Sequence, residues 1–231
     1  MIRRCDVTRL FDILFSLAAI AVLSPVLLSC VVILRLTGEG KVFYKQIRVG
    51  RNQKQFGLLK FATMLENSQN IGSGSITIKD DPRILPFGKV LRKSKINELP
   101  QLLNVLIGDM SLIGPRPLTP ETFNFYNEHE RELIGAMRPG LSGVGSIFFS
   151  NEEDLISSKD PDIIKKYYAN RIAPRKAACE IWYSSHQSVL LYFKIIIITI
   201  FVVLFRMKKP IRLLSEDLQK ILEELDEKFS T

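Results

Sequence analysis

The sequence predicts an α/β protein, mainly helical with one small β-hairpin, attached to a membrane through its N-terminal segment. A long uncharged apolar run near the N-terminus is the first reason, and a pair of short alternating segments around a polar turn is the second. The third is apolar residues at helical spacing over most of the remaining chain. Hydrophobic residues make up 46% of the 231 residues and charged residues 24%, a mixture suited to a soluble body with a membrane-seeking part.

Ile13 to Leu34 is a run of 22 residues without a charge, preceded by Arg3, Arg4 and Arg9 and followed by Arg35, Lys41 and Lys45. A helix of about 20 apolar residues crosses a bilayer. Ser24-Pro25 interrupts the centre of the run, where proline removes a backbone donor and bends the helix. Basic residues at both ends also lack the one-sided bias of a spanning helix. From the residues alone, a spanning helix and a hairpin that enters one leaflet and returns both stay open. A signal peptide is disfavoured, because no small-residue cleavage site follows the run.

Lys41 to Lys45 and Gln55 to Lys60 are expected as strands around the turn Arg48 to Lys54. Asn67 to Asp81, rich in Gly, Ser and Asn, is expected as a loop hinged at Gly72 and Gly74. From Asn97, Leu99, Leu102, Leu103, Leu106 and Ile107 fall at helical spacing with Pro100 in the first turn, which places Glu98 at a helix N-terminus. A helix from Pro120 into the 130s, a turn at Arg138-Pro139-Gly140 and a helix from Pro161 to Tyr183 follow. Val189 to Phe205 is interrupted by Lys194, leaving 11 uncharged residues before Arg206. That is too short to cross a bilayer, so it is expected to lie in the interface with Lys194 snorkelling and Arg206, Lys208 and Lys209 at its end. Ser215 to Phe229 carries an apolar stripe that predicts docking onto the body or onto a second copy in a homodimer. The resulting divisions are 1–36, 37–185, 186–209 and 210–231.

Residues 41–117 hold 13 Lys and Arg against 5 Asp and Glu, a surplus of +8 that equals the net charge of the chain. Such a field suits anionic lipid headgroups, a phosphorylated substrate or nucleic acid. Phe43, Tyr44, Phe56 and Phe61 form no RNA-binding pattern, so nucleic acid is set aside. Cys5, Cys30 and Cys179 are an odd, widely spaced set far from His129 and His186, which argues against zinc and against a disulfide framework.

An ordered series of motifs narrows the choice. Lys60-Phe61 with Thr63-Met64, Asp81-Pro82-Arg83, Gly88 with Leu91-Arg92, and Leu99-Pro100-Gln101-Leu102 come first. Gly108-Asp109-Met110-Ser111, Gly114-Pro115-Arg116-Pro117, Arg138-Pro139-Gly140 and Glu180-x-Trp182-Tyr183 follow. The series resembles the small monotopic bacterial phosphoglycosyl transferases, the initiating sugar transferases of polysaccharide and glycoprotein assembly. This resemblance implies a re-entrant helix broken at Ser24-Pro25, interfacial helices, and a cytosolic catalytic body on the cytoplasmic face of the bacterial inner membrane. It implies transfer of a phosphosugar from a UDP-sugar to polyprenol (undecaprenyl) phosphate with release of UMP, among membrane lipids and downstream glycosyltransferases.

Both substrates are anionic, so Mg²⁺ and cationic side chains are implied. The resemblance makes Glu98 and Asn97 the catalytic pair and the metal ligands. It makes Lys60, Arg92, Pro115, Arg116, Pro117, Arg138 and Glu180 the substrate-binding set. Two positions depart from the pattern: Ala62 replaces a usually basic residue, and Asn97 stands where the family carries its nucleophilic Asp. A carboxamide is a very poor nucleophile. Either Glu98 serves as nucleophile or base in a working enzyme, or the chain is a substrate-binding or scaffolding member without turnover. Deamidation of Asn97 is slow with Glu following it.

Overall fold

The computed structural model describes residues 4–71, 77, 81–149, 160–205 and 214–228. Helices dominate, and the strands form two small two-stranded sheets. The expected hinges at Gly72 and Gly74, the basic cluster Arg206, Lys208 and Lys209, and Phe229 lie outside the described residues.

Helix α1 (Arg4–Leu36) runs 33 residues without interruption, so the predicted break at Ser24-Pro25 does not divide it into two helices. Pro25 has no N–H for the Ala21 carbonyl four residues earlier, and the Ser24 hydroxyl donates to that carbonyl instead, at 2.8 Å. The serine thus answers the carbonyl that the proline orphans. Val7–Leu36 is long and apolar enough to cross a membrane. Both ends of this helix nevertheless touch the same body. Near its start, Arg9 donates to the carbonyls of Val105 and Leu106, and buried Asp12 accepts from Ser111 Oγ, Leu112 N and Tyr192 Oη at 2.8–3.0 Å. Near its end, Cys30 and Leu34 pack with Phe61 and Leu91.

Strands β1 (Phe43–Val49) and β2 (Gln55–Phe61) pair antiparallel, Phe43 opposite Phe61 and Val49 opposite Gln55. The first strand runs through Arg48 and Val49, which the sequence reading gave to the turn, because the alternation of exposed and inward residues continues to that point. Helix α2 (Pro86–Lys93) leads through Lys95, in the left-handed conformation at φ 60°, into a single 3₁₀ turn, Ile96–Glu98. Helix α3 (Gln101–Ile107) starts only after Pro100, so Glu98 belongs to the tighter turn ahead of the helix and not to its first turn.

Strand β3 (Ser111–Ile113) pairs parallel with β4 (Gly140–Ser142). Between them, α4 (Pro120–Phe123) and α5 (Glu128–Gly135) replace the one predicted helix, because Asn127 starts a new one with a capping box to Glu130. Helix α6 (Val144–Phe148) follows, then α7 (Pro161–Tyr167) and α8 (Ala173–His186), separated by a π-turn at Tyr168–Ile172. Pro174 explains the interruption: it offers no N–H to the Asn170 carbonyl and its ring crowds that oxygen.

Helix α9 (Val189–Phe205) buries Tyr192, Ile195 and Ile198 in the main core and exposes Leu190, Ile197 and Phe201. Lys194 is exposed, and its Nζ donates to the Leu214 carbonyl at 3.0 Å, which holds the approach to α10 (Glu216–Lys228). The predicted stripe of α10 docks onto the body through Leu218 and Leu222. Asp12 holds α1, β3 and α9 together with one carboxylate. Asp12→Ala strands three buried donors at about 1 kcal/mol or more each, so the thermal midpoint falls by about 6–12 °C, measured by fluorescence in detergent.

Candidate active site

Alternation along β1 turns Tyr44, Gln46 and Arg48 inward, beside Lys60 of β2. Arg92 reaches the same space from the last turn of α2, Asn97 and Glu98 from the 3₁₀ turn, and Arg116 from the loop after β3. Tyr168 of the π-turn and Lys176 of α8 close one side. Together they line a cleft of about 200 Å³. Five of the predicted site residues, Lys60, Arg92, Asn97, Glu98 and Arg116, therefore meet here.

Glu98 Oε1 accepts from Arg116 Nη2 at 3.2 Å. Burial alone raises the carboxyl pKa, but Arg116, Lys60 and Lys95 outweigh it and bring it down to about 2. Glu98 is ionised at neutral pH, and its stabilising contribution, complete above pH 4.5, is lost as pH falls toward 2. Burial lowers Lys60 to about 7 against the opposing pull of Glu98, with Arg48, Arg116 and Arg92 lowering it further. Arg48 is brought to about 10 by burial and by Arg116. Among the described lining residues Glu98 is the one carboxylate beside Arg48, Lys60, Arg92 and Arg116, a charge balance that suits a polyanionic ligand.

Asn97 is 5% exposed, and its Oδ1 has no hydrogen-bond partner among the described residues. A buried carbonyl oxygen left unpaired is costly, and it sits in the cleft next in sequence to an ionised carboxylate. These are the oxygen donors that Mg²⁺ takes from a protein when phosphates and water complete its shell. Among the described residues no cluster of three His, Cys, Asp or Glu gathers, so the pair fits a metal shared with a phosphorylated ligand.

Pro115, Pro117, Arg138 and Glu180 do not line the cleft. Pro115 lines a small depression behind it with Pro139 and Phe123. The Pro117 carbonyl accepts from Arg48 Nη1 at 3.0 Å, and Arg138 precedes the Pro139-Gly140 step into β4. Buried Glu180 accepts from the Arg116 backbone N–H at 3.3 Å. Burial raises Glu180 to about 7 despite the Arg116 amide and Lys176. The structure therefore puts these four around the loop that carries Arg116. The same loop needs glycine: a Cβ on Gly140 would stand 2.1 Å from Gly114 N, and one on Gly114 would stand 2.4 Å from the Arg138 carbonyl. Sequence reasoning missed Arg48, Tyr168 and Lys176. For Arg48 the signal was present in the period-two spacing Tyr44, Gln46, Arg48.

An anion entering the cleft raises the Lys60 pKa from about 7, so binding above neutral pH takes up a proton. Calorimetry of pyrophosphate binding in buffers of different ionisation enthalpy should show an uptake of close to one proton at about pH 8, by linkage. Lys60→Met removes that uptake and weakens binding.

The family model for bacterial sugar transferases matches residues 3–206. The chain is 35% identical over 158 residues to the exopolysaccharide production protein ExoY of Sinorhizobium fredii, covering 62% of this chain and 70% of ExoY. It is 33% identical over 192 residues to the uncharacterized sugar transferase EpsL of Bacillus subtilis, covering 83% and 84%. Against the UDP-N-acetylgalactosamine-undecaprenyl-phosphate N-acetylgalactosaminephosphotransferase of Aeromonas hydrophila, identity is 42% over 142 residues, 59% of this chain and 33% of that protein. With a cationic cleft built from its ordered motifs and a family match over nearly its whole length, the chain belongs to the bacterial sugar transferases.

Proposed function

We propose that the chain moves a phosphosugar from a UDP-sugar to a polyprenol phosphate at the cytoplasmic face of a bacterial membrane, releasing UMP. The observation that carries this reading is the ionised Glu98 within a ring of Lys60, Arg92 and Arg116. The printed activity of the Aeromonas relative supports the donor and acceptor classes.

A carboxylate with a pKa near 2 is a feeble base and stands ionised at neutral pH, the form in which a carboxylate attacks as a nucleophile. Glu98 attacks the sugar-bearing phosphorus, the bond to the bridging oxygen breaks, and UMP leaves with that oxygen. A phosphate oxygen of the polyprenol phosphate then attacks the same phosphorus and frees Glu98, giving polyprenol diphosphosugar. Arg116 and Arg92 hold the donor oxygens and the leaving phosphate, and Lys60 in its protonated form adds a compact charge beside them. Asn97 Oδ1 and the Glu98 carboxylate would hold Mg²⁺, which when bound would neutralise diphosphate charge.

The contacts of both ends of α1 with one body support a helix that enters and leaves the membrane on the same side, because a spanning helix delivers its ends to opposite faces. The exposed apolar residues of α9, Leu190, Ile197 and Phe201, support its placement along the same lipid surface. Asn97 favours a second reading, a family member that binds the donor without turning it over.

The purified chain, incubated with Mg²⁺ and a panel of UDP-sugars without lipid acceptor, is expected to release one UMP per chain and to carry a phosphosugar on Glu98 by mass spectrometry. Glu98→Gln removes the adduct and lowers turnover by about 10³-fold or more. Turnover only when both substrates are present replaces covalent attack by direct displacement. Donor binding with no turnover in any combination establishes the binding protein.

A further inference from the structure

At one side of the cleft, remote in sequence from the catalytic pair, stand Tyr168 and Lys176. They are 4% and 3% exposed, so the fold has carried a lysine ammonium into its interior. Burying a charged group is costly unless the surroundings answer it. Lys176 Nζ donates to Tyr168 Oη at 3.2 Å and lies 5.1 Å and 5.4 Å from the ring centroids of Tyr168 and Phe149. The π-turn at Tyr168–Ile172, a feature often found at functional sites, places the tyrosine here. Nearby Thr119 and Thr122 bond to each other at 2.8 Å and form the adjoining wall.

Using the transferase reading above, we infer that Lys176 and Tyr168 form the subsite for the glycosyl group of the nucleotide-sugar donor, reading a hydroxyl or acetamido oxygen on the sugar. The alternative occupant, the nucleobase, requires a flat aromatic face on which to stack. Neither ring supplies one. Tyr168 has the Lys176 ammonium at its ring and Phe125 packed against it at 5.7 Å between centroids, and Phe149 has the same ammonium at its ring and Phe148 against it at 4.8 Å. Tyr168 therefore contributes its hydroxyl. That oxygen accepts from Lys176, and toward a sugar oxygen in the cleft the same hydroxyl would act as donor. An ammonium and a phenol in one dry corner are donors matched to the ring of acceptors that a pyranose displays.

Glu180 lies one turn beyond Lys176 on α8 and accepts from the Arg116 amide. The helix that carries the sugar subsite is thereby bonded to the loop that carries a phosphate-binding arginine. A sugar seated on Lys176 would be registered against the diphosphate through that bond.

The test is a binding titration of UMP, UDP-N-acetylgalactosamine, UDP-galactose and UDP-glucose to the full chain in detergent, with wild type and Tyr168→Phe. The variant keeps the ring and removes only the hydroxyl. Its dissociation constant for the preferred UDP-sugar should rise about five- to ten-fold, the range for one buried hydrogen bond, while that for UMP stays within about two-fold. Lys176→Met should show the same pattern with a larger loss, and Tyr168→Phe decides the question if that variant does not fold. Equal weakening of UMP and UDP-sugar, or no weakening of either, overturns the subsite alone. A wild-type chain that binds neither UMP nor any UDP-sugar overturns the transferase reading and this subsite with it.

Discussion

The ion pair between Glu98 and Arg116 ties together the two segments on which the cleft depends. One partner comes from the 3₁₀ turn ahead of α3 and the other from the loop between β3 and α4. Within a partly buried setting the pair is not mainly a source of stability, since desolvation offsets much of such an attraction. Its chief effect is on charge. Arg116 and its neighbours keep the carboxylate ionised, and the carboxylate in turn limits the mutual repulsion of Lys60, Arg48 and Arg92. Removing the anion would strengthen the mutual repulsion of these cations and lower the Lys60 pKa further.

Around that pair, support comes from uncharged backbone. Gly114 and Gly140 approach so closely that the loop bearing Arg116 is pressed onto the start of β4, and Glu180 fastens it from the opposite side through the Arg116 amide. Asn104, in the middle of α3, accepts from Leu59 N at 3.0 Å and donates to the Gly57 carbonyl at 2.9 Å, which locks the helix after the catalytic turn to the strand that carries Lys60. The functional side chains stand on short elements, yet each short element is bonded to a second one.

Much of this was legible in the sequence where local pattern and motif order coincided. The hairpin announced itself by alternation, α1 by its uncharged run, and Lys60, Arg92, Asn97, Glu98 and Arg116 by their order along the chain. Tyr168 and Lys176 could not be read, because a buried lysine on a helix looks like any solvated one until the fold places aromatic rings around it. Strands β3 and β4 are three residues each and hold glycine, too short for alternation to show. Helix α9 is apolar on every side, so its sequence could not say which face the core would take or that Lys194 would reach Leu214. Proline's lost hydrogen bond marks Pro25 as a break, whereas the Ser24 hydroxyl supplies a donor to the same carbonyl that no local pattern announces.

The clamp of Arg9 on the last carbonyls of α3 has a geometric result. Helix α3 has seven residues, a rise of about 10 Å at 1.5 Å per residue, with the 3₁₀ turn that carries Asn97 and Glu98 just beyond its other end. On the transferase reading proposed above, a lipid-borne phosphate stays in the headgroup plane, and a carboxylate that reacts with it has to stand at a fixed height above the acyl chains. With one end clamped by Arg9 of α1, α3 would set the distance from that clamp to Glu98. Adding or deleting one turn in it would move Glu98 by about 5.4 Å along the helix axis relative to the Arg9 clamp, with Lys60, Arg92 and Arg116 unchanged in sequence.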